Sequence, residues 1–386
     1  MPKILILMSD TGGGHRASAQ ALQAGFAQRF GERFQVEIAD LWMKHTPFPL
    51  NQIPKSYSFL ATRTPWAWKF IWHTGEHPRA AHLVQEVATR YARKSVEQLF
   101  REQRPDLVIS VHPLLQDISL AILAHMGCYP PFVTVITDLA SVHPTWFHPQ
   151  ADRCFVASPQ AYERGLAAGM QSDQLRLYGL PIRPVFAQPP RPKAILRQEL
   201  GMEAALPATL VVGGGEGMGP VAQIARSVAA ALAGRGAPLG QLVVVCGRNH
   251  KLKAELDAHD WPIPVRVNGF VDNMPDWMAA CDCIVTKAGP GTIAEALVRG
   301  LPILLSGFIP GQEEGNVPYV VENGAGAFHT DPAQIARIVA RWFGTERDQL
   351  AQMAVRAREM GNPQATLHIV EEIAQMVGGE KEIQRG

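Results

Sequence analysis

Three stretches set glycines beside residues able to do chemistry: "SDTGGGHRASAQAL" from Ser9, "VVGGGEGMGPVAQIA" from Val211 and "VTKAGPGTIAEAL" from Val285. Each passes from an apolar, strand-like segment through glycines into a helical pattern. Glycine admits positive φ and lets backbone N–H groups approach a ligand, and the helix N-terminus adds partial positive charge. Each loop is therefore suited to cradle a phosphate. Close packing of helix on strand explains one such loop equally well, but three at equivalent places favour a ligand. The first and third loops fit G-x-G-x-x-A, as Gly12, Gly14, Ala17 and Gly289, Gly291, Ala294. That pattern would suit a dinucleotide oxidoreductase. However, the first loop lacks an acidic strand end at the right distance, since Asp40 lies late, and none of the three fits an ATP-type P-loop.

The third loop carries more. Glu295 follows Gly291 by about one helical turn, where a carboxylate can accept two hydrogen bonds from ribose hydroxyls. Further on, after another apolar strand, comes "GQEEGN" from Gly311 to Asn316. Gln312, Glu313 and Asn316 offer donors and acceptors suited to sugar hydroxyls, although a solvated turn would look similar. A diphosphate cradle, a ribose acceptor and a sugar-reading loop in succession describe a nucleotide-sugar site.

The elements that must hold these residues alternate. "KILILM", "VEIADLW", "DLVISVH", "FVTVITDL" and "RCFVAS" are apolar runs with helical stretches between several of them, including one from about His15 to Phe30. That is the pattern of a mostly parallel sheet with crossover helices. From Tyr178 to Pro207 the texture turns proline-rich, which predicts a linker over 184–206 ending in a short helix. The alternation then restarts with "TLVVGGGEGMG", "QLVVVCG", "PVRVNGF", "CDCIVTKAGPG", "LPILLSG" and "GAGAFHT", and closes on helical residues. The expected fold is α/β: two Rossmann-like, doubly wound domains facing a cleft, spanning 1–183 and 207–355. The final helical stretch, about 356–386, is expected to pack back on the first domain. In such sheets ligands bind at the carboxyl ends of the strands.

Composition agrees with this plan. A chain of 386 residues, 47% hydrophobic and 18% charged, can bury two cores and does not resemble a disordered one. Its formal charge of +1 argues against a broadly cationic nucleic-acid binder. The cysteines Cys128, Cys154, Cys246, Cys281 and Cys283 form no C-x-x-C pair and fit reduced core thiols of a cytosolic protein. The strand-like residues begin at Lys3, so no targeting segment is expected ahead of the fold, and no apolar run reaches membrane-spanning length.

Longer motifs carry a resemblance. "LMSDTGGGHRASA", "DLWMKHTPFPLNQIPKSY", "ISVHPLLQ", "TDLASVHPTWFH", "YGLPIRP", "GGGEGMGP", "CGRN", "CDCIVTKAGPGTIAEALVRGLPI" and "GQEEGNVPYVVENGAG" occur in this order. Nearly end to end, the chain resembles the monogalactosyldiacylglycerol synthases, which move galactose from UDP-galactose to diacylglycerol. More distantly it is similar to the glucosaminyl transferase that completes the lipid-linked peptidoglycan precursor. The resemblance implies a GT-B glycosyltransferase fold, an inverting reaction, and neither metal nor other cofactor. It implies His15 as the catalytic histidine. It assigns nucleotide-diphosphate contacts to Arg183, Arg248, Gly215, Glu216, Gly217, Met218, Gly219, Gly289, Pro290, Gly291 and Thr292. Glu295 falls to the ribose, and Gln312, Glu313, Glu314, Gly315 and Asn316 to the donor sugar. Gly13 and Gly14 clear space for the acceptor, and Pro49 lies where plant members bind an anionic-lipid activator. Plant members begin with a transit peptide, so a bacterial member is expected, acting at the cytoplasmic face of the membrane.

The expected mechanism follows. An acceptor hydroxyl needs a base as it attacks the anomeric carbon. Neutral His15 can take that proton, directly or relayed through a carboxylate such as Asp138. "YSFLATRTPWAWKFIW" from Tyr57 mixes Trp66, Trp68 and Trp72 with Arg63 and Lys69. Such a mixture suits peripheral binding to an anionic lipid surface, or alternatively an amphipathic helix packed on the core. Three other readings stay open: a UDP-glucose-dependent diacylglycerol glucosyltransferase, a UDP-sugar epimerase, and a nucleotide-sugar-binding regulator that would not need His15.

Overall fold

The computed structural model describes residues 1–10, 13–52, 78–217, 219–234 and 236–383. The chain divides into two units. Unit 1 comprises Met1–Pro184, Ile309–Glu313 and Gln364–Gly386, and unit 2 comprises Val185–Phe308 and Glu314–Pro363.

Unit 1 is built on strands β1 (Lys3–Met8), β2 (Gln35–Asp40), β3 (Leu107–Ser110), β4 (Phe132–Val135), β5 (Arg153–Val156) and β6 (Leu175–Leu177). Its helices include α1 (Gly14–Phe30), α2 (Leu41–His45), α3 (Pro78–Gln103), α4 (Gln116–His125) and α5 (Pro159–Ala167). The strands pair in parallel in the order β2-β1-β3-β4-β5-β6. The continuous apolar run of β1 follows from burial on both faces, which parallel sheets require. Ile4, Ile6 and Met8 face a core with Leu22 and Phe26 of α1. Leu5 and Leu7 face another with Val96 and Phe100 of α3 and Ile118 and Ile122 of α4. The run "VEIADLW" does not remain a strand to its end. The Asp40 carboxylate accepts the Met43 N–H at 3.1 Å and starts α2 there, as an N-cap does.

Unit 2 begins with α6 (Lys193–Glu199), followed by β7 (Ala208–Val212), α7 (Val221–Leu232), β8 (Gln241–Val245), α8 (His250–Asp257) and β9 (Val265–Asn268). Then come α9 (Met274–Ala280), β10 (Cys283–Thr286), α10 (Pro290–Arg299), β11 (Ile303–Leu305), α11 (Asn316–Val321), β12 (Gly326–Phe328), α12 (Pro332–Phe343) and α13 (Arg347–Met360). The parallel strand order is β12-β11-β10-β7-β8-β9. Val211, Val244 and Val285 pack with Ile224 and Val228 of α7 and with Ile335, Val339 and Trp342 of α12.

Two stretches differ in detail from the expected boundaries. Within 184–206, α6 is anchored to unit 2: Arg197 Nη2 meets Asp282 Oδ2 at 2.6 Å, and Arg197 Nε donates to the Ala280 carbonyl. The closing helical stretch is broken after Met360 by Gly361, Asn362 and Pro363, so that α13 belongs to unit 2 and α14 (Ala365–Ile383) to unit 1. On α14, Thr366 clasps the backbone of Ile182 through two hydrogen bonds, at 3.0 and 2.6 Å. Ile369, Val370 and Ile373 of this helix complete the α1 face of the first core.

The two strand orders matter for function. In a doubly wound sheet the crevice opens where the winding reverses. In unit 1 that point lies between β1 and β3, and in unit 2 between β7 and β10. The glycine loops found in the sequence follow β1, β7 and β10.

Candidate functional site

At the reversal point of unit 1, three loops converge. Gly13 caps α1 with φ of 83°, a left-handed conformation that glycine adopts freely, and this turn delivers His15 to the first turn of the helix. The loop after β3 carries His112, and the loop after β4 carries Thr137 and Asp138. His15 is only 7% exposed, and its Nδ1 shares a 2.9 Å hydrogen bond with Thr137 Oγ1. Its ring lies 4.6 Å from that of His112 and 6.0 Å from Trp146, both tilted. The fully buried indole of Trp146 donates from Nε1 to Asp138 Oδ2 at 2.6 Å.

Exclusion of water sets the electrostatics. Burial lowers the His15 pKa to about 4, against weaker upward pulls from a hydrogen bond with the Val111 backbone and from Asp10. His15 is therefore a neutral imidazole at physiological pH. Its place in the first turn of α1 works in the same direction, because a helix N-terminus disfavours a cation. Burial also pushes Asp138 up to about 7, opposed by hydrogen bonds from Trp146 and Gln312 and assisted by the Glu313 charge. His15 and Asp138 share no hydrogen bond among the described residues; the side chain on His15 is Thr137, one position earlier.

Unit 2 builds a different kind of site. After β7, Gly217 takes φ of 59° and sits so close to the next loop that a Cβ would lie 2.3 Å from the Cys246 carbonyl. The Arg248 N–H donates to the Gly215 carbonyl at 2.8 Å, stitching the loops after β7 and β8 together. After β10, Gly289 caps α10, Pro290 occupies its first turn, and Gly291 is exposed with nothing within 4 Å of where a Cβ would stand. The helix thus presents its N-terminal N–H groups to open space, as an anion site requires. Glu295 is half-buried one turn further along. Arg248 is exposed, paired with the exposed Glu216 at 3.0 Å and stacked over Phe270. A surface pair of this kind is weak and free to rearrange.

The stretch "GQEEGN" divides its labour. Glu313 is buried, and its carboxylate accepts the Ile309 N–H at 3.0 Å, so it braces its own loop. Buried Asn316 donates from Nδ2 to the Ala288 carbonyl at 2.9 Å and braces the turn before α10. Gln312 is half-buried beside Asp138 within unit 1, Gly315 is half-buried, and Glu314 is exposed. Arg183 is half-buried in unit 1, next to the Ile182–Thr366 clasp. Thr292 is half-buried on α10, Gly14 and Gly219 are exposed, and Pro49 is exposed in a turn ahead of residues 50–52. Met218, Trp66, Trp68 and Trp72 lie outside the described residues. Among those described, no helix is long and apolar enough to cross a membrane.

Several members of the unit 1 cluster carry no assigned role in the sequence reading: His112, Thr137, Trp146 and the buried His143. The first two are ordinary polar residues just past a strand, and their meeting depends on β3 and β4 lying beside β1. The available signal was their place in "ISVHPLLQ" and "TDLASVHPTWFH".

Known proteins bear on both units. A profile described as monogalactosyldiacylglycerol (MGDG) synthase matches residues 15–182, and one described as the glycosyltransferase family 28 C-terminal domain matches residues 208–334. The chain is 50% identical to monogalactosyldiacylglycerol synthase 1, chloroplastic, of Arabidopsis thaliana over 380 residues, 97% of this chain and 71% of the relative. It is 49% identical to the chloroplastic synthase of Spinacia oleracea, over 97% of this chain and 72% of the relative. Among solved structures, Acinetobacter baumannii MurG superimposes with a TM-score of 0.62 at 17% identity, covering 97% of this chain and 100% of that one. The calicheamicin glycosyltransferase CalG4 gives 0.61 at 17% identity, covering 98% of each chain. These structures establish a two-domain, Rossmann-like GT-B fold.

Proposed function

The chain belongs to the monogalactosyldiacylglycerol synthase family, and on that premise we propose that it transfers galactose from UDP-galactose to the free hydroxyl of 1,2-diacylglycerol. The product is a β-monogalactosyldiacylglycerol, formed with inversion. The glucosyl alternative is not favoured, since the relatives above are galactolipid synthases by name. The observation that carries the mechanism is a buried imidazole, neutral above about pH 4, at the reversal point of the unit 1 sheet.

In this mechanism the acceptor hydroxyl oxygen attacks the anomeric carbon as His15 takes its proton. The bond from that carbon to the diphosphate oxygen breaks, and the electron pair leaves with UDP. A general base of this kind contributes roughly 10²- to 10⁴-fold. Backbone N–H groups of the loops after β7 and β10, the α10 N-terminus, Arg183 and Arg248 stabilise the departing diphosphate without a metal ion. Glu295 accepts hydrogen bonds from the ribose hydroxyls, and Gln312 reads the sugar, with Glu313 and Asn316 holding the loops in place. Asp138 sits beside Gln312 as a carboxyl that changes charge near neutral pH.

The enzyme is proposed to work as a peripheral protein on an anionic membrane surface, with the segment holding Trp66, Trp68 and Trp72 as its contact. Incubation with radiolabelled UDP-galactose or UDP-glucose and diacylglycerol vesicles tests the whole proposal. Lipid-soluble label from UDP-galactose is the expected result. Label that remains water-soluble with both donors would exclude lipid transfer, and a preference for UDP-glucose would exclude the galactosyl assignment.

A further inference from the structure

We propose that His112 is a positioning residue for this transfer: its imidazole is locked in one tautomer, holds the ring of His15, and leaves His15 as the base of the buried pair.

The constraints on His112 are unusually complete. Its carbonyl accepts from Ser110 Oγ at 3.2 Å and from the Leu115 N–H at 3.3 Å. The Leu114 N–H donates to its Nδ1 at 3.3 Å. Backbone and ring are thus fixed together, and the ring stands 4.6 Å from that of His15, tilted by 55°. Because Nδ1 accepts an N–H, the proton of the neutral ring sits on Nε2. A second proton would have to land on Nδ1, break that bond, and place a charge in a site only 4% exposed, against a second imidazole. Burial first and His15 second keep His112 well below the ordinary imidazole range. Each ring acts on the other, and Asp10, the Val111 backbone and Thr137 act on His15. With the Nδ1 of His112 already taken by the Leu114 N–H, a proton taken from an acceptor hydroxyl stops at His15.

The plainer role for His112 is to cap the start of α4, since its ring and carbonyl accept N–H groups there. Capping does not require an imidazole, because Ser, Thr, Asp and Asn serve better. What the imidazole adds is reach to His15.

This inference rests on His15 being the base, and its test separates the two. His112→Asn keeps an acceptor for the Leu114 N–H but is too short to touch His15. Melting temperature and UDP affinity should stay near wild type. The kcat should fall about 10- to 100-fold, the scale of a misplaced reacting group. The acid limb of kcat/KM should move up from about 4 toward the ordinary 6.5, because His15 then gains water. His112→Gln, which reaches as far as Nε2, should recover most of the rate. A folded His112→Asn variant with unchanged kcat and acid limb would overturn the inference and leave His112 as a cap. Histidine NMR of the wild type gives a second arm that needs no variant. His112 should show the Nε2–H tautomer throughout about pH 5 to 8, and an Nδ1–H tautomer or a titration there would equally overturn it. If His15→Ala keeps its rate, the base assignment itself fails. If His15→Ala is inactive while His112→Asn behaves as wild type, only the present inference fails.

Discussion

At the reversal point of the first sheet, the loops after β1, β3 and β4 bury His15, His112 and Asp138 almost completely, whereas in the second sheet the loops after β7 and β10 leave Gly215, Glu216 and Gly291 open to solvent. Both places are the carboxyl ends of parallel strands, so topology alone does not explain the contrast. Exclusion of water acts on groups that titrate: it keeps the His15 imidazole neutral and free to take a proton, and it raises Asp138 toward neutral pH. Backbone donors have no protonation state to tune. What a diphosphate asks of them is access and fixed direction, which glycines and a helix end supply. In the proposed mechanism, one unit thus moves a proton and the other holds a charge.

This division can be broken by mutation, and the largest effect should come from unit 1. His15→Ala should reduce turnover roughly 10²- to 10⁴-fold while UDP affinity stays within a few-fold. Calorimetry with UDP alongside the rate assay checks both, and a collapse of UDP affinity would erase the boundary between the units. Gly217→Ala is the matching lesion in unit 2. Its φ of 59° and the 2.3 Å approach to the Cys246 carbonyl oblige the backbone to shift. A loss of stability on the order of 1–3 kcal/mol or more is expected from the strained conformation. It should appear in denaturant melts together with weakened UDP binding.

Glu295→Ala sharpens the contrast. Losing hydrogen bonds to a charged group should weaken UDP by about 1.5–3 kcal/mol with the fold intact. Unchanged affinity would remove Glu295 from the nucleotide site. The smallest effect concerns pH. The folded chain keeps a proton on Asp138 up to about 7, where an unperturbed carboxyl has lost it by 3.8. That group therefore costs stability as pH rises through this window. His15 acts in the opposite sense, since its contribution is lost as pH falls from 6.5 toward about 4. Asp138→Asn should gain stability relative to wild type as pH rises between these limits, in melts taken at several pH values. A flat difference would mean that Asp138 is not held protonated.

Much of the fold was legible. β1, β7 and β10 are apolar without alternation, and each is followed by glycines, so two parallel sheets with ligand loops at their strand ends could be expected from pattern alone. His15 could be singled out because a histidine after three glycines has little packing value. Thr137 and His112 could not, because their role arises only when β3 and β4 lie beside β1, and strand order is not written in local periodicity. The short β6 was also missed, since three residues ahead of "YGLP" leave too little pattern. Glu313 and Asn316 read as sugar contacts from their chemistry, and the periodicity around them gave no sign that they also hold the Ile309 N–H and the Ala288 carbonyl.

The return of α14 to unit 1 has a consequence for synthesis on the ribosome. Ile369, Val370 and Ile373 close one face of a core whose other walls were made hundreds of residues earlier. Until they emerge, the first sheet carries a bare apolar strip beside α1, on the face that α1 covers. Unit 2, whose residues end at Pro363, has all of its chain beforehand. The half made first is thus the half that finishes folding last, and a nascent chain stalled before Gln364 would offer chaperones and proteases an unfinished unit 1 beside a complete unit 2.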